Sequence, residues 1–330
     1  MSDSLLAVHD AVLLDLDGTV YHGTRSIPGV AEVIRAAREA TAVRYVTNNA
    51  SKAPGEVAAH LAALGIDADP HEVNTSAQAA AKVLAERLPA GAVVLVVGTA
   101  SLEAEVRAVG LRPTRAVSDE VAAVVQGHSP ETGWADLAEA CLAIRGGALW
   151  VATNVDATLP SERGLLPGNG SMVTALRAAT EREPVVAGKP ARPLFETAAE
   201  SAGANKPLVV GDRLDTDIAG AVAAELDALV VLTGVATPAQ LLAAGADRRP
   251  KYLSADLTSL TEPADLLEIG PQEGWQVRVA DGGLTVSVRG GGDALGLLRA
   301  LCGPAWESGV TTVRAADEAA RAALTELSLT

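Results

Sequence analysis

Two carboxylates one residue apart, Asp15 and Asp17, follow directly on the apolar run Val12-Leu13-Leu14, and Gly18-Thr19 come next. On a strand, alternate side chains share a face, and Gly18 lets the backbone turn sharply where the strand ends. Acids this close repel each other unless a cation or a shared proton compensates. The pattern therefore predicts metal-assisted chemistry. An Asp-Gly hairpin turn would ask for alternating flanks, whereas Val-Leu-Leu is continuous. Three more polar clusters stand where apolar runs end: Thr47-Asn48, Lys189, and Asp212 with Asp217. In open parallel sheets the ligand crevice lies outside the carboxyl ends of the strands, so these groups are expected to converge on Asp15 and Asp17.

The residue types predict a division of labour. Asp15 is a candidate nucleophile, Asp17 a proton donor to a leaving oxygen, and Asp212 a further oxygen ligand for Mg²⁺. Thr47 and Lys189 would neutralise a phosphoryl group. Phosphoryl transfer needs mainly positioning and charge stabilisation, a carboxylate nucleophile forms an aspartyl-phosphate that water cleaves, and Mg²⁺ suits few carboxylates plus waters and substrate oxygens. The polar residues also have structural readings. Thr47-Asn48 could cap a helix, with Ser51 competing for that role, and Asp215 is the expected cap of the helix behind Asp212.

The elements that must hold these residues alternate. Short apolar runs at 43–46, 93–97, 122–125, 149–152, 207–210 and 230–232 are separated by helical patterns, among them 54–64, with Pro54 near its start and Gly65 as its stop. Strand–helix alternation with short loops implies a parallel sheet. The series from 93 to 152 contains no paired acids and reads as a separate α/β insert. Residues 263–273 read as a linker. Beyond them, Trp275-Gln276-Val277-Arg278-Val279 and Leu284-Thr285-Val286-Ser287-Val288 alternate around Asp281-Gly282-Gly283, a hairpin signal. A helix near 294–301, a strand near 310–313 and a last Ala-rich helix complete the tail.

With these motifs in order, the chain resembles the haloacid dehalogenase superfamily of aspartate-dependent phosphatases: Asp15-Leu16-Asp17-Gly18-Thr19, Thr47-Asn48, Lys189, and Gly211-Asp212 through Asp217. The insert between the second and third motifs resembles the C2-capped branch, and Thr47-Asn48-Asn49 with Gly211-Asp212-Arg213-Leu214-Asp215-Thr216-Asp217 resembles its NagD-like, para-nitrophenylphosphatase-type subfamily. The resemblance implies an α/β fold with a Rossmann-like core at 1–85 and 182–262, an α/β C2 cap at 86–181, and a small C-terminal α+β module at 274–330. It further implies that Asp15 and Asp212 bind Mg²⁺ through carboxylates, Asp17 through its backbone carbonyl, and that Asp217 stands behind them. Thr47, Asn48, Lys189 and Gly18 would hold phosphate. His22 in the first loop, and His128 and Asn154 after two strands of the insert, are the candidate substrate contacts. Capped relatives often dimerise through the lid, which implies a homodimer here.

Composition bounds the rest. A net charge of −15 over 330 residues argues against nucleic acid and anionic membranes as partners. No apolar run reaches the roughly 18 residues of a membrane span. The stretch Met1-Ser2-Asp3-Ser4 has no basic n-region, and Cys141 and Cys302 form no disulfide framework, so a cytoplasmic enzyme is expected. The acidic insert and an aromatic content of 2% favour a small substrate, glycerol 3-phosphate first and phosphoglycolate next. Pyridoxal phosphate or a nucleotide monophosphate, and a phosphotransferase or a non-catalytic metabolite sensor on the same fold, are the alternatives. Arg289-Gly290-Gly291-Gly292-Asp293-Ala294 loosely resembles the loop with which GNAT-type acetyltransferases hold acetyl-CoA, which makes it a candidate anion, CoA or nucleotide site. Packing or assembly is the default reading of the tail.

Overall fold

Strands covered on both faces have no solvent side toward which to alternate, and the apolar runs of this chain fold accordingly. In the computed structural model, which describes residues 3–161, 163–280 and 282–330, the chain divides into two compact units: Met1–Val43 with Ala202–Thr330, and Arg44–Ser201. The expectations touching Met1, Ser2 and Asp281 lie outside the described residues.

In the first unit four parallel strands run Ala11–Leu14, Pro207–Gly211, Asp227–Val231 and Tyr252–Ser254, each paired to the next. Leu14 stands opposite Val210, and the Asp15 N–H donates to the Val210 carbonyl at 2.9 Å. This register brings two strand ends level, so Asp15 and the Gly211-Asp212 step leave the sheet side by side. The helix Val30–Ala40 buries Val30, Val33, Ile34 and Ala37, the i, i+3, i+4, i+7 stripe of an amphipathic helix.

The tail belongs to this same unit. Trp275–Ala280 and Gly283–Val288 form the expected antiparallel hairpin, and Val313–Ala315 adds a parallel strand to it. That strand starts three residues later than expected, because the preceding helix, Ala294–Ser308, is longer than the expected 294–301 and ends at the left-handed Gly309. The helix continues through Pro304 because its far end is anchored. The Trp306 indole N–H donates to the Leu241 carbonyl at 2.9 Å, and Arg249 lies over the Trp306 ring at 5.2 Å. Arg299, buried in mid-helix, donates through Nε and Nη2 to the Leu253 carbonyl at 3.0 and 2.9 Å. Residues 263–273, expected as a linker, carry the short helix Ala264–Leu267 with Leu267 buried, and the Ile269 N–H donates to the Lys251 carbonyl at 2.9 Å.

In the second unit Tyr45, Val46 and Thr47 pair in parallel with Val73, Asn74 and Thr75. A five-stranded parallel sheet follows, in the order Val185–Val186, Leu149–Ala152, Val121–Gln126, Val93–Val97 and Arg112–Thr114. Helices Trp134–Arg145 and Asn169–Thr180 cover it through Ala140, Ile144, Val173 and Leu176, packed on Leu95, Val124 and Trp150. Cys141 is partly buried against this cluster. The hairpin Thr158–Ser161 with Gly164–Pro167 had no counterpart in the sequence reading. Its second strand is exposed throughout, so no buried face imposes an alternation.

Asp227, at the start of the third strand of the first unit, accepts from Lys251 at 2.8 Å and stands 3.2 Å from His9 Nε2. Burial alone would raise its pKa, but the hydrogen bonds from Lys251 and His9 outweigh that and hold the carboxyl below the usual carboxylate range. A depressed carboxyl contributes stability that is present above the unfolded value of about 3.9 and is lost as pH falls through the folded value. Denaturant titrations of wild type and Asp227→Asn at several pH values are expected to diverge near neutrality and converge below about pH 4. A gap independent of pH would contradict the assignment.

Candidate active site

The first cluster is acidic. Carboxylate oxygens of Asp15, Asp212 and Asp217 lie within 4.8 Å of one another. Asp15 is partly buried, whereas Asp212 and Asp217 are each only 1% exposed. Backbone N–H groups hold the two buried acids. Asp212 Oδ2 accepts the Val235 N–H at 2.7 Å, and Asp217 Oδ2 accepts the Arg213 N–H at 3.1 Å. The backbone from Leu214 to Ile218 forms a π-turn before the helix Ala219–Ala223, a distortion found often at functional sites. Asp215, expected to cap that helix, instead pairs with Arg213 through Nε and Nη2 at 3.1 and 2.9 Å.

Glycines make this packing possible. A Cβ on Gly234 would come within 1.9 Å of Asp212 Oδ2, and one on Gly18, whose φ is +92°, within 2.5 Å of the same atom. Asp17 is exposed, and its Oδ1 accepts the Gly23 N–H at 3.2 Å. The Gly18 N–H, expected at the phosphate, donates to the Tyr21 carbonyl at 2.7 Å, and the Thr233 hydroxyl donates to the Gly18 carbonyl. The Tyr21 phenol is pushed up to about 12 by its burial and by the charges of Asp17 and Asp15.

Three clustered carboxylates are a hard-oxygen donor set of the kind that suits Mg²⁺, and glycines stand around them where a Cβ would collide. The residues fit the ion. Asp15 and Asp212, with Asp217 beside them, would hold it, and when bound it would supply charge compensation for a phosphoryl oxygen and for the acids themselves.

The second cluster is built of amides around a lysine. Lys189 is 2% exposed, and its Nζ donates to the Val46 carbonyl at 3.0 Å. Thr47 is partly buried, and its hydroxyl oxygen accepts the Asn49 N–H at 3.1 Å. The Asn48 side chain, expected on phosphate, is committed elsewhere. Its Oδ1 accepts the Lys189 N–H at 2.7 Å, and its Nδ2 donates to Asp156 and to the Lys189 carbonyl, both at 3.1 Å. Asn154, expected to meet substrate, is 5% exposed and donates to the Asn48 carbonyl at 2.8 Å. His128 is half-buried and His22 is exposed in the two-stranded turn Tyr21–His22 with Arg25–Ser26. Asp156 escaped the sequence reading, although its spacing two residues after Asn154 repeats that of Asp15 and Asp17.

In the tail, Gly291 and Gly292 line a cavity of about 850 Å³ together with Asp256, Glu262, Asp265 and Asp293. Arg299 is the basic residue among its lining, and its Nε and Nη2 are engaged by Leu253. This wall is acidic, which disfavours the phosphate-bearing ligands expected at residues 289–292.

Relief of repulsion gives the acidic cluster a thermodynamic signature. Saturating Mg²⁺ is expected to raise the melting temperature of wild type, equivalent to about 2.7 kcal/mol at a hundred times the dissociation constant. Asp212→Asn, which keeps an acceptor for Val235 but removes a charge, should melt no lower than wild type in EDTA and respond little to Mg²⁺. An equal Mg²⁺ shift in both proteins would contradict the site.

Comparison with known proteins agrees with this geometry. Residues 12–112 match the haloacid dehalogenase-like hydrolase model, and residues 186–260 match a second model of that kind. Residues 272–329 match a GCN5-related N-acetyltransferase like domain, in line with the loose resemblance of the tail. D-glycerol 3-phosphate phosphatase of Mycobacterium tuberculosis is 50% identical over 99% of this chain and 96% of its own. An acid sugar phosphatase of Staphylococcus saprophyticus is 38% identical over 71% of this chain and 90% of its own. The crystal structure of the M. tuberculosis glycerol phosphate phosphatase in complex with magnesium superposes with a TM-score of 0.96 at 52% identity, covering 100% of both chains. The 4-nitrophenylphosphatase of Thermotoga maritima gives 0.71 at 29% identity, over 78% of this chain and 98% of its own. This chain belongs to the haloacid dehalogenase-like hydrolase family.

Proposed function

We propose that this protein is a Mg²⁺-dependent phosphatase that hydrolyses glycerol 3-phosphate through an aspartyl-phosphate on Asp15. The observation that carries the reading is the buried carboxylate cluster with Asp15 at its accessible edge. The full-length relative that is 50% identical and named for D-glycerol 3-phosphate supports the substrate.

An Asp15 carboxylate oxygen attacks phosphorus while the bond from phosphorus to the glycerol oxygen breaks. Asp17, whose carboxyl is exposed beside Asp15, gives its proton to that leaving oxygen. Asp17 then takes a proton from water as the water oxygen attacks phosphorus. The bond from phosphorus to Asp15 breaks, and inorganic phosphate leaves. Asp15 and Asp212, with Asp217 beside them, would hold the metal. Thr47 and the Lys189 ammonium offset the phosphoryl charge. The insert at 86–181 selects the leaving group, with His128 at the end of one of its strands.

Phosphate release over a panel of glycerol 3-phosphate, phosphoglycolate, pyridoxal phosphate, sugar phosphates and nucleotide monophosphates tests the proposal. Glycerol 3-phosphate should give the highest kcat/KM, EDTA should abolish turnover, and Asp15→Asn should lower kcat by several orders of magnitude. Undiminished turnover in EDTA or in Asp15→Asn would sink the mechanism. A different leading ester would overturn the substrate.

A further inference from the structure

The polar web around Asn48 is more extensive than a phosphate contact needs. Asn48 Oδ1 accepts the Lys189 N–H at 2.7 Å while Nδ2 donates to the Lys189 carbonyl at 3.1 Å. The side-chain amide thus pairs with both sides of the lysine's own backbone, as a neighbouring strand would. The second Nδ2 hydrogen goes to Asp156 Oδ2 at 3.1 Å. An amide side chain has one acceptor oxygen and two donor hydrogens, and here all are used. The amide orientation is dictated by its surroundings, because exchanging O and N would set donor against donor at Lys189 and acceptor against acceptor at Asp156.

The backbone of Asn48 is tied as firmly. Its carbonyl accepts from the Ser76 hydroxyl at 2.7 Å and from Asn154 Nδ2 at 2.8 Å. The Asn154 carbonyl in turn accepts from buried Asn169 at 2.7 Å. Gly188 permits the approach, since a Cβ there would lie 2.4 Å from the Thr153 carbonyl and 2.5 Å from Asn48 Oδ1. Thr153, Asn154 and Asp156 belong to one segment, the turn that leaves the insert strand Leu149–Ala152.

From this web we infer that Asn48, Asn154 and Asp156 are positioning residues. They clamp the Thr47-Asn48 turn to the Gly188-Lys189 turn and so fix where the Lys189 ammonium stands. The inference rests on the proposed role of Lys189 as the partner of phosphate charge. Asn48 serves that role through the lysine's backbone rather than by touching phosphate with its side chain. Asp156 makes a turn of the insert part of the cradle, so insert changes at 153–156 should alter phosphate affinity without reaching the substrate.

An acid–amide exchange tests the clamp. Asn48→Asp keeps an oxygen for the Lys189 N–H but sets its other oxygen against the Asp156 carboxylate and the Lys189 carbonyl. Asp156→Asn alone retains an acceptor for Asn48, and in the double variant its amide can donate to the new carboxylate. Three readouts apply: inorganic phosphate affinity by calorimetry, KM against kcat for glycerol 3-phosphate, and amide hydrogen exchange of the peptide carrying Lys189. Asn48→Asp should weaken phosphate and raise KM by at least about tenfold, and should speed exchange at Lys189. Asp156→Asn should do less than this, and the double variant should recover part of the loss, since the Lys189 carbonyl still faces the new carboxylate. Asp156→Ala, which removes the acceptor of the Asn48 amide, should shift all three readouts in the same direction and guards against misfolding of Asn48→Asp. A double variant no better than Asn48→Asp, or unchanged exchange in Asp156→Ala, would refute the clamp. A wild type that turns over no phosphate ester would refute the proposed function instead, since exchange is read without substrate.

Discussion

Mutual repulsion among Asp15, Asp212 and Asp217 is the constraint on which the rest of this structure depends. Three carboxylate oxygens within 4.8 Å, two of them on nearly buried residues, are far from the lowest-energy arrangement for an isolated protein. The fold holds them there by geometry. The parallel register levels the ends of Ala11–Leu14 and Pro207–Gly211, backbone N–H groups of Val235 and Arg213 fix two of the acids, and glycines at 18, 211 and 234 let them approach. At Gly211 even a Cβ would lie 2.3 Å from Asp217. Such a site is held in readiness for a cation, which would relieve its electrostatic strain.

The amide cluster follows the opposite logic. Lys189 is a cation with almost no exposure, and burying a cation is costly unless it is paired or hydrogen-bonded. Its neighbours supply carbonyls and amides rather than a solvated shell, with Val46 taking a hydrogen bond from its ammonium and Asn48 taking its backbone. Asn154 and Asp156, in the turn 153–156, are hydrogen-bonded to Asn48.

Much of this was legible in the residues. Continuous apolar runs ending in Asp, Thr-Asn or Gly-Lys read as parallel strands with chemistry at their carboxyl ends, because burial on both faces removes alternation and strand ends face the crevice. The grouping of Asp212 with Asp15 followed from the same rule. The side-chain commitments were not legible. Nothing in Thr47-Asn48 says that the asparagine amide pairs with a lysine backbone 141 positions away, and nothing in Asn154 says that its amide faces a carbonyl rather than a ligand. Asp215 looked like a cap until Arg213, two residues earlier, claimed it. The hairpin Thr158–Ser161 with Gly164–Pro167 was unreadable because its exposed second strand has no pattern to impose. In the tail, the hairpin alternates clearly, but the helix length depended on Trp306 and Arg249, contacts that no local signal announces.

The claim that orders all the others is that Asp15 itself takes the phosphoryl group. Acid quenching during turnover of glycerol 3-phosphate, reduction of any acyl phosphate with borohydride and peptide mass mapping would read it directly. A modified residue at Asp15, absent without substrate and without Mg²⁺, is the expected result. Full turnover with modification at another carboxylate, or with no trapped residue under conditions that trap a known acyl phosphate, would contradict the account.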